Sequence, residues 1–461
     1  MIDLSEDQFG ARLAGVLSPS RPIRTPEHLR GRERDLVTIK RALYATGRHI
    51  FIYGDRGVGK SSLAATAAYQ YQSSDAEPIF IAGSLDETFN SLIANLVSQA
   101  IGRPRTESRK ARRSAGFSWH GLRLATDMEI SPLAIDQQIK SIGDAAELLK
   151  HVAEVHSEKP VVVVDEFDAI PDAQDRNKFA ALLKQLGDQS VNIKFIFTGV
   201  GASAEELIGA HASAFRQLET LELLRLGWEG RRQIVEYAAG AFNLSVDSNV
   251  NWRIAIVSDG FPYYVHLIAE KMLWEAYVSR EADGLGWDHY HDGLRAAIES
   301  INVELRRPYD KAVSHRAPEF EDAVWSTADG EDLFRSLSDL YGSYSVIAQK
   351  RAGRRVLERK DYAEILRKLK NASYGHILDP LEGRHGWYTY HEKMLRGYVR
   401  MQAEVNGVEL TGEKAAPRQT THVPNNARTG FRGSSIPRGV RIDEPLSDDP
   451  ERREKRNGDV E

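Results

Sequence analysis

A glycine-rich stretch ending at residue 61 carries the clearest chemistry in the sequence. It reads Gly54-Asp55-Arg56-Gly57-Val58-Gly59-Lys60-Ser61, which has the spacing Gly-x4-Gly-Lys-Ser between an apolar run and an alanine-rich helix. The glycines let successive backbone amides turn toward phosphate oxygens, and the new helix adds its free N–H groups. We expect Lys60 to reach the β- and γ-phosphates and the Ser61 hydroxyl to coordinate Mg²⁺. The sequence from Gly54 to Ser62 therefore predicts a nucleotide phosphate site, and an ordinary glycine turn is the alternative.

Two acidic residues follow a run of four valines at 161–164. Such a run is typical of a strand that is buried on both faces, as in a parallel sheet. Asp165 and Glu166 would lie at the carboxyl end of this strand, where open α/β sheets bind their ligands. We predict that Asp165 holds Mg²⁺, directly or through water, and that Glu166 orients or deprotonates an attacking water. The alternative for acids in this position is a helix N-cap.

Two further residues follow in the same pattern. Thr198 ends the predicted strand 193–198 and should lie beside the acids, where it could sense the γ-phosphate or position the water. The alternative is a capping threonine. Arg216 precedes the next strand and is a candidate arginine finger for the γ-phosphate of a neighbouring subunit. The alternative is a surface or structural arginine.

Alternating strands and helices position these residues. Apolar strands are predicted at 50–53, 78–82, 161–164, 193–198 and 221–226, with amphipathic helices between them. Residues 1–25 have little periodicity and are predicted to be an entry arm. After residue 227 the pattern becomes helical. The predicted fold class is α/β, with a parallel sheet of the phosphate-binding-loop type followed by a small helical lid.

A third unit, residues 306–404, combines helices with a hairpin. Helices are predicted at 319–325, 331–341, 360–371 and 392–403, and two short strands joined by a polar turn lie within 376–390. The outward positions of the third helix are basic: Arg367, Lys368 and Lys370. This order fits a winged helix, in which the basic helix could enter a DNA major groove while Arg384 touches phosphates from the wing. A winged helix used for protein contacts, or as an extension of the lid, is the alternative.

Two segments stand apart in composition. Residues 103–113 carry six basic residues against one glutamate, which is consistent with a loop that touches nucleic-acid phosphates or with a solvated insertion. Residues 405–461 are rich in Pro, Gly, Asn and mixed charges and poor in aromatics, so they are predicted to be a disordered tail.

Composition limits the class of protein. A length of 461 residues suggests about three domains, and a formal net charge of -5 does not by itself indicate a nucleic-acid partner. The absence of cysteine excludes disulfides, thiolate metal sites and a cysteine nucleophile. The first nine residues lack a signal-peptide pattern, and no apolar run approaches the roughly 20 residues that span a bilayer. We therefore expect a soluble cytoplasmic protein with no membrane contact.

Together these motifs resemble the AAA+/STAND superfamily of P-loop ATPases, most closely the branch of archaeal-type and origin-recognition initiator ATPases. The resemblance rests on the leader at residues 29–33, the loop and the acid pair, with Thr198 at the sensor position, Arg216 after it and Gly260-Phe261-Pro262 similar to the STAND lid motif. It implies ATP and Mg²⁺ as cofactors. The lid arginine of initiator ATPases has no match in residues 259–268, which favours the STAND side.

The resulting prediction is an ATP-hydrolysing switch that acts on double-stranded DNA through a winged helix. Arg216 would complete the nucleotide site of a neighbouring subunit in a homo-oligomer. The biological task of this switch would be DNA maintenance, a function of a mobile element or defence against foreign DNA. The alternative is a signalling or regulatory STAND ATPase whose partner is a protein. The predicted domains are an arm (1–25), an AAA+/STAND nucleotide-binding domain (26–227), a helical lid (228–305), a winged helix (306–404) and a disordered tail (405–461).

Overall fold

The computed structural model describes residues 3–72, 75–102, 117–119, 122–124, 131–201, 216–279, 284–314 and 316–411. The basic segment 103–113 and residues 412–461 of the predicted tail lie outside the described residues. Among the described residues, no helix is long and apolar enough to cross a membrane.

The described elements are as follows, in chain order. The strands are β1 (His49–Tyr53), β2 (Ile79–Ala82), β3 (Phe117–Trp119), β4 (Leu122–Leu124), β5 (Val161–Asp165), β6 (Lys194–Gly199), β7 (Leu218–Glu222), β8 (Ser245–Val246), β9 (Gly284–Leu285), β10 (Arg335–Ser336), β11 (Leu378–Pro380) and β12 (Trp387–Tyr390). The helices are α1 (Glu6–Val16), α2 (Glu33–Tyr44), α3 (Lys60–Tyr71), α4 (Phe89–Gly102), α5 (Pro132–Asp136), α6 (Ile142–Val155), α7 (Ala173–Asp188), α8 (Trp228–Gly240), α9 (Ser248–Val257), α10 (Pro262–Ser279), α11 (Trp287–Ser300), α12 (Val303–Val313), α13 (Pro318–Ala328), α14 (Leu337–Lys350), α15 (Arg359–Lys368) and α16 (Leu395–Val405).

A five-stranded parallel sheet in the order β2-β5-β6-β1-β7 forms the centre of the nucleotide-binding part. The predicted parallel α/β sheet is thus confirmed. Strand β6 lies between β1 and β5, so the carboxyl ends of these three strands meet at one edge. The last strand runs over Leu218–Glu222 rather than 221–226. The Leu223 amide still donates to the Tyr53 carbonyl at 2.7 Å, whereas the Leu226 amide donates to the Gly260 carbonyl in the helical region at 2.8 Å. The chain has therefore left the sheet by Leu226.

Successive residues of the central strands pack into two separate cores. Ile50 and Ile52 of β1 face the core that contains α2 and α3, whereas Phe51 faces the core that contains α4, α6 and α7. The valines of β5 alternate in the same way. Both faces of the sheet are therefore covered, which explains why these strands appear as continuous apolar runs in the sequence.

The N-terminal arm is more ordered than predicted. Residues 6–16 form α1, which begins with a capping box between Ser5 and Gln8. Phe9 and Leu13 are buried, and the Phe9 ring packs against aromatic rings of the helical region. The low periodicity of residues 1–25 gave no indication of this helix. A single helix of three turns offers too few apolar positions for a clear periodic signal.

The C-terminal unit, here residues 306–411, contains helices and an antiparallel sheet in the order β10-β12-β11. Its second helix was predicted at 331–341 but α14 spans Leu337–Lys350, because residues 335–336 form β10 and Ser336 caps the helix. The last helix was predicted at 392–403, and α16 spans Leu395–Val405. Residues 408–411 belong to the predicted disordered tail, but Val408 and Leu410 are buried.

Candidate nucleotide-binding site

Three glycines shape the loop between β1 and α3. Gly54, Gly57 and Gly59 have φ of +152°, +81° and +97°, which is the region that favours glycine. A side chain at Gly54 would also place its Cβ 2.4 Å from the Leu223 carbonyl oxygen. Helix α3 begins at Lys60, directly after this turn, so its unpaired amides and positive dipole end face the same space as the loop amides.

The two side chains that end the motif are both anchored. The Lys60 Nζ donates to the carbonyl oxygens of Gly54 and Asp55, at 2.9 and 2.8 Å. Burial lowers the pKa of Lys60, and nearby carboxylates, Asp168 first among them, oppose this shift. The Ser61 hydroxyl donates to Asp165 Oδ1 at 2.9 Å. The structure therefore brings Ser61 and Asp165 together, although they lie 104 residues apart in sequence.

Thr198 joins the two acids at the same edge. Its hydroxyl donates to Asp165 Oδ1, and it accepts a hydrogen bond from the Glu166 amide at 3.2 Å. Glu166 has a φ of +51°, a conformation that is rare for a residue with a side chain and that is enriched at functional sites. Its side chain is exposed and faces the cleft. Lys60, Ser61, Asp165, Glu166 and Thr198 thus form one cluster.

This cluster lies in a cleft of about 1120 Å³. The walls include the phosphate-binding loop, the sheet edge, the helical region around Pro262 and Tyr263, and the C-terminal unit at Glu392, Met394 and Leu395. The size and mixed lining suit a molecule as large as a nucleotide.

Several lining residues were missed from the sequence. Residues 18–23 of the arm form one wall, and the Ile23 amide donates to the Ser62 hydroxyl at 3.1 Å. Asp168 faces the cleft from the turn after β5. Its position three residues after Asp165 was a usable signal, whereas no local pattern indicates the arm. Buried Arg32 of the leader supports the loop by donating to the Val58 carbonyl at 3.0 Å.

The C-terminal unit touches the phosphate-binding loop directly. Lys393 Nζ lies 2.7 Å from Asp55 Oδ1, although the two residues are 338 positions apart. The Met394 side chain packs against Gly57, where a Cβ would lie 2.6 Å from its sulfur. The Tyr264 hydroxyl donates to the Met394 carbonyl at 2.9 Å, which ties the same segment to the helical region.

A buried ionic cluster joins the helical region to the last helix. Asp259 is fully buried and has a φ of +52°. Its carboxylate lies 2.7 Å from Arg225, 2.8 Å from Arg400 and 3.4 Å from Arg396. Burial would raise the pKa of Asp259, but the guanidinium groups of Arg400, Arg396 and Arg225 hold that pKa below its ordinary value. We call these four residues the Asp259 cluster.

The remaining predicted site residues lie away from the cleft. Arg216 is exposed and precedes β7. The first residue of β7 pairs with His49 at the start of β1, whereas the phosphate-binding loop follows the end of β1. Arg216 therefore lies at the opposite end of the strands from the phosphate-binding loop of the same chain. On α15, Arg367 is exposed and Lys368 lies 3.2 Å from Glu364. Lys370 follows that helix and is half-buried. Arg384 is exposed in the hairpin turn, with its guanidinium over the Trp387 ring at 5.3 Å.

Comparison with known proteins finds one family match, which lies in the N-terminal half of the chain. Residues 28–196 match the AAA ATPase domain. No curated protein shows significant sequence similarity to the chain. A similar solved structure is a Walker-type ATPase of Pyrococcus abyssi, with 16% identity, a TM-score of 0.49 and coverage of 83% of this chain and 99% of that chain. The ORC2 protein of Aeropyrum pernix has 15% identity, a TM-score of 0.46 and coverage of 85% of this chain and 98% of that chain. The ORC1 protein of Aeropyrum pernix in complex with DNA has 15% identity, a TM-score of 0.42 and coverage of 82% of this chain and 94% of that chain.

Proposed function

From the premise that residues 28–196 form an AAA ATPase domain that binds and hydrolyses ATP, we propose that the protein is a switch ATPase that acts on double-stranded DNA through its C-terminal unit. The observation that carries the ATPase assignment is the convergence of Lys60, Ser61, Asp165, Glu166 and Thr198 at one edge of the parallel sheet. Phosphoryl transfer needs charge neutralisation and water positioning, and these side chains supply both.

The oxygen ligands fit Mg²⁺. Ser61 Oγ and Asp165 Oδ1 are 2.9 Å apart, which is about the separation of two adjacent ligands on an octahedral Mg²⁺ ion. When bound, the ion would neutralise the phosphate oxygens. Lys60 and the loop amides would hold the β- and γ-phosphates, and Glu166 would orient the attacking water. Thr198 would fix the Asp165 carboxylate and report the presence of the γ-phosphate.

We assign Arg216 a role toward a second copy of the chain. Its position away from its own loop supports this, because it cannot reach its own γ-phosphate from the opposite sheet edge. A finger that acts between subunits would make hydrolysis per subunit rise with protein concentration. Arg216→Ala should remove that rise, and Arg48→Ala is the control, since Arg48 is an exposed arginine at the same edge.

Contact with DNA would use basic residues of the C-terminal unit. Arg367, Lys368 and Lys370 would lie against one stretch of duplex, and Arg384 would touch phosphates from the hairpin turn. Exposure of Arg367 and Arg384 supports this arrangement. The alternative is a signalling ATPase with a protein partner, which the Lys393–Asp55 contact favours because it links the C-terminal unit to the nucleotide loop.

The ATPase is tested by measuring hydrolysis against protein concentration, with and without duplex DNA. Glu166→Gln should lower the rate by about 10²–10⁴ while nucleotide binding persists, because an amide cannot take a proton from water. Glu147→Gln is the control, since Glu147 is exposed on α6, and it should leave the rate unchanged. An unaltered rate in Glu166→Gln would remove Glu166 from the mechanism.

The DNA contact is tested by fluorescence anisotropy with a labelled duplex over 50–200 mM salt. Arg367→Ala and Arg384→Ala should each weaken binding and reduce the slope of log affinity against log salt by about 1. Arg295→Ala is the control, because Arg295 is an exposed helical arginine outside the C-terminal unit. If neither variant changes binding, or the chain binds no duplex, the protein-directed alternative replaces the DNA proposal.

A further inference from the structure

Three side chains of the C-terminal hairpin converge without a role in the nucleotide site. His376 Nε2 lies 2.8 Å from Asp379 Oδ1, and His391 Nδ1 lies 2.8 Å from Asp379 Oδ2. The two imidazole rings stack, with centroids 3.9 Å apart and planes 19° apart. The candidate ligand atoms of all three residues lie within 4.8 Å of one another.

The backbone holds these residues in place. Asp379 is the middle residue of β11, while His376 and His391 flank the β11–β12 pair. The His391 amide donates to the Ile377 carbonyl at 2.9 Å, and the His376 amide to the Asn371 carbonyl at 3.0 Å. His376 has a φ of +47°, in the left-handed region that few residues with a side chain adopt. The three side chains are therefore oriented by main-chain contacts on both sides.

Two imidazoles and one carboxylate form the donor set that zinc and similar transition-metal ions prefer. Mg²⁺ and Ca²⁺ favour sites made of oxygen ligands alone, so this site discriminates against the ion that ATP brings. With metal–ligand distances of 2.0–2.2 Å, nitrogen and oxygen ligands on one tetrahedral ion lie about 3.3 Å apart. The two nitrogen–oxygen contacts must lengthen by about half an ångström, and the stacked rings must turn so that both ring nitrogens point at one ion.

We propose that His376, Asp379 and His391 bind a divalent transition-metal ion, with zinc as the best match, and that water completes its coordination. Side-chain exposures of 39%, 38% and 52% leave the ion reachable from solvent, so binding is reversible. The ion would take the place of the N–H proton that each imidazole directs at the carboxylate. A neutral ring shifts this proton to its other nitrogen, so the ring nitrogen beside the carboxylate becomes free to bind the ion.

The location gives the site a consequence beyond its own three residues. His391 is followed at once by Glu392, Lys393 and Met394, the segment that contacts the phosphate-binding loop. An ion bound at His391 would fix the start of this segment. The inference does not depend on DNA binding or on any role for Arg216.

The test uses the full chain, stripped with a chelator, freed of the chelator and titrated with Zn²⁺ in the absence of nucleotide. Calorimetry should detect one strong site. His376→Gln, Asp379→Asn and His391→Gln should each weaken that site at least tenfold. Replacing Zn²⁺ by Co²⁺ should give visible absorption bands of a nitrogen–oxygen site, and the same variants should lose them. His385→Gln, at an exposed histidine of the same hairpin, should match the unaltered chain.

Asp379→Asn separates loss of metal binding from loss of folding. Its amide keeps hydrogen-bonding atoms in place, so the chain should fold, but the amide is a poor metal ligand. Zn²⁺ should raise the melting temperature of the unaltered chain and not that of this variant. The proposal is overturned if the unaltered chain binds no Zn²⁺, or if the tight site persists within twofold in the two histidine variants.

Discussion

The segment from Lys393 to Glu404 meets the rest of the molecule at two places that use the same ionic chemistry in opposite surroundings. At the phosphate-binding loop, the Lys393–Asp55 pair is about one-third exposed. In the Asp259 cluster, the Arg400 and Asp259 side chains are 1% and 0% exposed. Exposed pairs contribute about 0–1 kcal/mol, whereas breaking a buried pair costs about 3–5 kcal/mol. Loss of the second contact should therefore cost more stability than loss of the first.

Neighbouring contacts strengthen this contrast. Arg253 of α9 pairs with Glu404 of α16 in a buried position, and Arg400 also donates to the Ile256 carbonyl at 3.0 Å. These bonds join the last helix to the helical region. At the loop, the Met394 side chain packs against Gly57 beside the ion pair.

The largest expected effect is on the buried side. Asp259→Asn retains the shape and tolerates the left-handed backbone, but it leaves Arg225, Arg396 and Arg400 without their acid. The free energy of unfolding, measured in urea, should fall by about 3–5 kcal/mol. Asp55→Asn is the matched exposed change and should cost less than about 1 kcal/mol. Equal losses of unfolding free energy in the two variants would contradict the stated difference between the buried and the exposed ion pair.

Acid should act on the same cluster. The pKa of Asp259 in the folded chain lies below its ordinary value of 3.8. Its stabilising contribution is therefore fully present above about pH 4 and is lost as the pH falls through the folded-state pKa. The stability difference between the unaltered chain and Asp259→Asn should shrink as urea unfolding is repeated from pH 6 toward pH 3. A difference that stays constant over this range would assign the effect to packing instead of charge.

A smaller effect is expected where the loop meets Met394. Gly57→Ala places a side chain at a φ of +81°, at a cost of about 1–2 kcal/mol, and pushes its Cβ against the Met394 sulfur. ATP affinity, measured with a fluorescent analogue, should drop at least tenfold because the loop amides lose their alignment. Gly342→Ala is the control, since Gly342 lies inside α14 with open space around it. ATP affinity unchanged by Gly57→Ala would contradict the assigned loop geometry.

The smallest effect should come from the exposed pair. Lys393→Ala should change stability by less than about 1 kcal/mol. It leaves the Asp55 carboxylate unbalanced beside the phosphates, so ATP affinity should weaken about threefold after screening by solvent and salt. The double variant Asp55→Ala/Lys393→Ala removes both charges and should restore affinity. If the double variant binds as weakly as Lys393→Ala, the two side chains do not act as a pair.

Each motif of the nucleotide site could be recognised in the sequence because the residues within one motif are adjacent. The loop and its helix occupy consecutive residues, and the valine run before Asp165 shows a strand buried on both faces. The contact of Lys393 with Asp55 spans 338 positions, and no sequence period relates them. Asp259 directly precedes the Gly260-Phe261-Pro262 motif, and nothing in the nearby sequence indicates its partners Arg396 and Arg400, which lie on α16.

The Asp259 cluster also sets an order of events during synthesis. Ile256, beside the acid, and Arg400 are 144 residues apart, and the chain leaves the ribosome N-terminal end first. While the nucleotide-binding part is already complete, Asp259 has Arg225 but neither of its two later partners. The helical region can reach its final packing only after the last described helix has emerged. A nascent chain therefore cannot complete its cleft until residues 392–400 have been synthesised.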